Sequence, residues 1–155
     1  MTTIAVFGCG FVGGTTADFL EGSGGYEVIR VDPVHHPDQD PKEAAEKADG
    51  VIICVPTPMA NNGECDDSIV RDVLDIVGTE TRVLLKSTVT LDRMSRYPSN
   101  VVYNPEFLRE RCAMEDFENT KFLIYGHHNN LDDASWWAEI FEDCFYARKD
   151  FIESH

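Results

Sequence analysis

The chain lacks any run approaching the roughly 18 consecutive apolar residues of a membrane span. Met1-Thr2-Thr3 passes straight into an apolar stretch with no basic segment ahead of it, so no secretory leader is expected at this start. Positive charge is scarce: 13 Lys and Arg stand against 28 Asp and Glu, a formal net charge of −15. Nucleic acid and anionic membranes call for a basic face, so neither is an expected partner. A nucleotide remains open, because backbone N–H groups hold phosphate without side-chain charge. Cys9, Cys54, Cys65, Cys112 and Cys144 are odd in number and include no Cys-x-x-Cys pair, as expected of reduced thiols in a cytoplasmic protein. His127 and His128 have no cysteine or carboxylate patterned with them, so no metal site is expected. There is no internal repeat and no low-complexity linker.

What is present reads as one domain over residues 1–155, with a 43% apolar composition that supports a core. Short apolar runs at Thr3–Phe7, Glu27–Val31, Gly50–Val55, Arg82–Lys86, Asn100–Tyr103 and Lys121–Tyr125 predict six strands. Helical spacing falls between them at Phe11–Glu21, Lys42–Ala48, Asp67–Val77 and briefly Leu91–Arg96, and again at Leu131–Phe145. This alternation predicts an α/β fold: a single doubly wound parallel sheet with helices on both faces, the Rossmann arrangement. The expected strand order is 3-2-1-4-5-6, with ligand beyond the carboxyl ends of the strands near the switch between strands 1 and 4.

Gly8-Cys9-Gly10-Phe11-Val12-Gly13 matches Gly-x-Gly-x-x-Gly, placed between a predicted strand and a predicted helix. Gly8 permits a tight turn, Gly10 lets backbone approach a pyrophosphate, and Gly13 lets the helix lie close to the sheet. Asp32 ends the second strand about 20 residues on, where a carboxylate accepts the hydroxyls of an adenosine ribose. No Arg or Lys lies between Pro33 and Asp40 to receive a 2′-phosphate, so NAD is the expected cofactor in place of NADP. An FAD or other nucleotide site, or a glycine turn that binds nothing, shares the same pattern. Val55, Pro56 and Thr57 leave the third strand on the coenzyme side, and Thr88 ends the fourth near the expected nicotinamide. Glu106 and Glu110 are four residues apart and share a face if that stretch is a helical turn.

Four ordered segments carry a resemblance: the glycine loop, Ala48-Asp49-Gly50-Val51-Ile52-Ile53-Cys54-Val55-Pro56-Thr57-Pro58, Lys86-Ser87-Thr88-Val89, and Tyr103-Asn104-Pro105-Glu106-Phe107-Leu108-Arg109-Glu110. Together they resemble the NAD-binding domain of the UDP-glucose/GDP-mannose 6-dehydrogenase family. Gly63-Glu64-Cys65-Asp66-Asp67-Ser68 is similar to that family's loop after the third strand. The resemblance implies that Thr88 and Glu106 hold the water that hydrolyses a thioester, with Glu106 assisting proton transfer. It implies that Glu110 contacts the coenzyme and that backbone around Phe107, Leu108 and Arg109 meets a nucleotide sugar. The family's reaction oxidises a sugar C6 alcohol to a carboxylate with two NAD, through a thioester on a cysteine of a second domain.

That second, nucleotide-sugar domain is expected to be absent, since the family's catalytic Lys, Asn and Cys motifs have no counterpart among these residues. Cys112 lies near the site, where a small buried thiol is the simpler expectation than a nucleophile. Arg111 stands where the family prefers Gly, and the connection from Asp32 to Asp49 is short for the family. Two functional expectations follow. One is an enzyme whose sugar-binding part comes from a partner chain or a homodimer, with Trp136-Trp137 as a candidate contact. The other is a non-catalytic NAD-binding or regulatory module, or a relic that lost catalysis; a third possibility is that these residues are a piece of a longer enzyme.

Overall fold

The computed structural model describes residues 1–153. Five parallel strands, β1 (Thr2–Phe7), β2 (Tyr26–Val31), β3 (Gly50–Ile53), β4 (Arg82–Leu85) and β5 (Val101–Tyr103), form one sheet in the order β2-β1-β3-β4-β5. Helices cover both faces: α1 (Phe11–Gly22), α2 (Pro41–Lys47), α3 (Ser68–Val77), α4 (Leu91–Met94), α5 (Ala113–Glu118) and α6 (Leu131–Glu153).

Period-2 alternation divides the strand side chains between two cores. Ala5, Phe7, Val51, Ile53, Val83 and Leu85 meet α2, α3 and α4 through Ala44, Val70, Val73, Leu74 and Met94. Ile4, Val6, Ile52, Leu84 and Val102 meet α1, α5 and α6 through Phe19, Phe117, Trp137 and Phe141. The second core is aromatic: the Phe19 and Phe117 rings lie 4.4 Å apart, and Phe19 and Phe145 lie 4.8 Å apart. Chain ends of the helices follow local chemistry. Asp40 caps α2 by accepting from the Glu43 N–H, with Pro41 at the first helical position, and Gly78 ends α3 at φ 76°.

The doubly wound class holds, but the expected order 3-2-1-4-5-6 does not. The third strand pairs with β1 and not outside β2. The connection after β2 is too short to supply a further strand there. Residues 32–39 instead form a tight turn, with an antiparallel bridge between Asp32 and His36 and the Gln39 N–H donating to the His36 carbonyl. The connections from β1 to β2 and from β2 to β3 use α1 and α2 on opposite faces, so the switch point falls between β1 and β3.

The expected sixth strand, Lys121–Tyr125, is also absent. Only Tyr103 and Gly126 pair, antiparallel, through reciprocal backbone bonds of 2.7 Å. The Ile124 carbonyl is taken by the Asn104 side chain at 2.8 Å, which removes an acceptor that a ladder would need. No described helix is long and apolar enough to cross a membrane.

Candidate dinucleotide site

Gly8 sits at φ 85° and donates its N–H to the Val31 carbonyl at 2.8 Å. A Cβ on Gly8 would lie 2.7 Å from the Cys54 carbonyl and 2.8 Å from the Val55 nitrogen. A Cβ on Gly13 would lie 1.7 Å from the Gly8 oxygen, so this glycine lets the helix close on the loop itself. Gly10 is different: nothing lies within 4 Å of where its Cβ would be. It caps α1 without any side-chain hydrogen bond, and the first turn of α1 carries no acid. Phe11 is 45% exposed and Val12 half-buried, so the first N–H groups of α1 face an open, uncompensated cradle. That is the geometry a pyrophosphate requires.

Asp32 closes the cradle. Its Oδ2 accepts the Cys9 N–H at 2.7 Å, and its Oδ1 accepts the N–H groups of Val34 at 2.8 Å and His35 at 2.9 Å. The His35 ring nitrogen Nδ1 stands 3.1 Å from the same Oδ1. Burial alone would raise the carboxyl pKa, but the donors from Cys9, His35 and Val34 outweigh it and hold it at about 2. One acceptor position is left on Oδ2, which fits a ribose hydroxyl.

On the other side of the switch point, β3 and β4 are laced together at their carboxyl ends. Ser87 Oγ donates to the Val55 carbonyl at 2.7 Å, and Thr57 Oγ1 donates to the Thr88 carbonyl at 2.6 Å. Val55 is buried, and Pro56, exposed, lacks the N–H to continue the ladder. Thr57 and Thr88 are thus brought together, and Thr88 is exposed.

The Glu106–Glu110 stretch is less convergent. Residues 105–109 are not helical, and a 3-10 turn begins only at Glu110, so the two acids do not share a helical face as the spacing allowed. Glu106 is half-buried, and its Oε2 accepts the Leu108 N–H at 2.7 Å. Among the described residues, Glu106 and Thr88 share no hydrogen bond. Arg109 is clamped by Asp116 through Nη2 at 2.7 Å, Nε at 3.0 Å and its own backbone N–H at 2.8 Å. Two of the three backbone donors of Phe107, Leu108 and Arg109 are therefore already engaged, and Phe107 is 72% exposed. Glu110 is exposed. Arg111 lies within the 3-10 turn without a positive φ, so no glycine is required at that position.

Lys86 opens the Lys86-Ser87-Thr88-Val89 segment, yet the motif alone gives it no role. It is 4% exposed, donates from Nζ to Asn104 Oδ1 at 2.7 Å and stands 5.6 Å over the Phe117 ring. Burial pulls its pKa down, against the pull of Cys54 and Glu106. It borders a cavity of about 50 Å³ that Glu106 and Phe107 also line. The signal was its phase: two residues after Leu84 on β4, it points toward the aromatic core.

None of the buried thiols nearby is activated. Burial and the Asp32 charge push Cys9 up to about 11, and burial pushes Cys54 up to about 12. Cys112 is half-buried, 3.7 Å from Asp116 Oδ2. His128 Nε2 stands 2.8 Å from the Met94 carbonyl, and among the described residues no three potential metal ligands come together. The Trp pair is not a free contact surface: Trp137 is fully buried, and Trp136 packs on Gly50 beneath Arg82, 4.9 Å away.

A parallel doubly wound sheet, a glycine loop opening α1 and an acid at the end of β2 define a dinucleotide-binding domain of the Rossmann class. Residues 34–145 match the NAD binding domain of the UDP-glucose/GDP-mannose dehydrogenase family. The chain belongs to that family, and its cofactor is NAD. It is 34% identical over 97 residues to a UDP-glucose 6-dehydrogenase of Rickettsia felis, covering 54% of this chain and 22% of that one. It is 28% identical to a GDP-mannose 6-dehydrogenase of Pseudomonas putida, covering 85% and 41%. A GDP-mannose dehydrogenase from Pseudomonas aeruginosa, solved as a ternary complex, shares the fold with TM-score 0.77 and 23% identity over 90% of this chain and 44% of that one. A UDP-glucose dehydrogenase from Pyrobaculum islandicum does so with TM-score 0.76 and 24% identity over 92% and 44%. The chain thus spans between 22% and 44% of the length of these relatives.

Proposed function

We propose that this chain is the coenzyme half of a nucleotide-sugar 6-dehydrogenase, binding NAD and presenting it to a sugar held by a second domain or partner chain. The observation that carries the reading is the open face at Gly10 opposite Asp32, joined by the 2.7 Å bond from Cys9 to Asp32. NAD, when bound, accepts hydride. The first-turn N–H groups of α1 bind its pyrophosphate, Asp32 takes its adenosine ribose, and Val55, Pro56 and Thr57 line its path toward Thr88.

Thr88 and Glu106 are the proposed catalytic pair. The exposed Thr88 hydroxyl orients a water, and Glu106, held through Oε2 by the Leu108 N–H, offers its other carboxylate oxygen to it. Glu110 meets the coenzyme. With the Leu108 and Arg109 N–H groups engaged, the sugar hydroxyls are met by carbonyls of Phe107–Arg109. Arg109 itself is a strut, held to Asp116.

A second reading, a non-catalytic NAD-binding module, is favoured by one observation. Among the described residues the Thr88 and Glu106 side chains share no hydrogen bond, and Glu106 Oε2 is held instead by the Leu108 N–H at 2.7 Å. The two readings separate in one experiment. The purified chain is incubated with NAD and either UDP-glucose or GDP-mannose, with and without a co-expressed sugar-binding domain of the family, and NADH is followed. Formation of NADH only with the added domain supports the first reading. NAD binding with no turnover in any combination supports the second.

A further inference from the structure

Asp32 is engaged more fully than an acid that waits for a ribose diol needs to be. Its Oδ1 already accepts the backbone N–H groups of Val34 and His35. The His35 ring is a third donor at that same oxygen, 3.1 Å away, and because a carboxylate only accepts, Nδ1 carries the proton. The two backbone donors are fixed by the turn. The ring is not: the His35 side chain is 56% exposed, against 11% for Asp32. The ring therefore covers the remaining approach to Oδ1 and has solvent into which to withdraw, while Oδ2 keeps one open position beside Cys9.

We propose that His35 is a built-in competitor for the adenosine ribose: in the free protein its Nδ1–H covers Oδ1 of Asp32, and a diol that takes both carboxylate oxygens displaces it. The inference rests on the NAD reading above and adds a specificity-determining residue to it. His35 lowers affinity for any ligand that needs both oxygens and leaves untouched one that uses only the pyrophosphate cradle. The turn itself does not depend on the ring, since the Val34 and His35 backbone donors and the His36 N–H bond to the Asp32 carbonyl hold it.

The test is calorimetric titration of the full chain with NAD and with its 2′,3′-dideoxyadenosine analogue, for the wild type and His35→Ala, His35→Phe and His35→Gln. Ala and Phe should bind NAD about fivefold tighter, the size of one net hydrogen bond. Gln keeps a donor and should stay near wild type. The analogue should bind all four proteins equally. NAD affinity that is unchanged or weaker in Ala and Phe, or an equal gain for the analogue, overturns the proposal while leaving NAD binding standing. A wild-type chain that binds neither ligand overturns the NAD reading and this inference with it.

Discussion

The backbone N–H of Cys9 donates to Asp32 Oδ2 at 2.7 Å, so the glycine loop and the end of β2 are held by the same carboxylate that we propose for the ribose. On that proposal, stability and coenzyme binding should be coupled at this residue. Asp32→Asn replaces an acceptor with an amide and leaves buried N–H groups unpaired, at a cost of about 1–3 kcal/mol. Urea unfolding should register that loss, and NAD affinity should fall with it.

The same carboxylate fixes an acid limb. Its pKa is depressed from 3.8 to about 2, so its stabilisation is complete above pH 4 and is lost as pH falls through about 2. Thermal unfolding midpoints of the wild type should fall across that window. Asp32→Asn should show a shallower fall, and an identical acid limb in both proteins would count against the assignment.

Gly10 and Gly13 should separate binding from folding. Gly13→Ala drives a methyl onto the Gly8 carbonyl, where 1.7 Å is available, and should disrupt the loop and the packing of α1. Gly10→Ala meets no neighbour and has φ −68°, so its stability should stay within about 1 kcal/mol of wild type. Circular dichroism melts of the two variants make the comparison.

Lys86 and Asn104 should behave as a coupled pair. Asn104→Leu leaves a buried ammonium without its acceptor and frees the Ile124 carbonyl, a loss of roughly 3–5 kcal/mol. Adding Lys86→Met removes the stranded charge and should recover part of that loss. A double-mutant cycle measures the coupling, and strict additivity would show that the pair is not one unit.

Cys9 and Cys54 should resist labelling. With Cys9 buried, Cys54 half-buried and pKa values near 11 and 12, neither supplies thiolate at neutral pH. Mass spectrometry after brief treatment with a thiol reagent should find both unmodified in the folded protein and modified in denaturant.

Much of this was legible in the residues. Gly8, Gly10 and Gly13 between an apolar run and a helical one marked the cradle, and Asp32 at the end of the next run marked its partner, because both signals are local. Strand order was not local. It depended on whether the segment between Asp32 and Asp49 could hold a strand outside β2, and a short segment taken up by the Asp32–His36 turn and α2 could not. Lys121–Tyr125 has strand composition, but Asn104 claims its Ile124 carbonyl, a contact between residues far apart in sequence. The 3-10 turn at Glu110 and α5 escaped notice because Glu110–Glu118 is largely polar, with only Ala113 and Phe117 buried. The role of Lys86 was hidden by its type: a lysine is expected in water, and only its phase, just past the end of β4, pointed inward.

Titration of the chain with NAD tests the central claim most directly. One NAD should bind per chain, raising stability by about 2.7 kcal/mol at a concentration near 100 Kd, and Gly10→Ala should lose that affinity while keeping its fold. A wild-type chain that gives no binding heat and no stabilisation at millimolar NAD, or a Gly10→Ala variant that binds undiminished, would contradict the account.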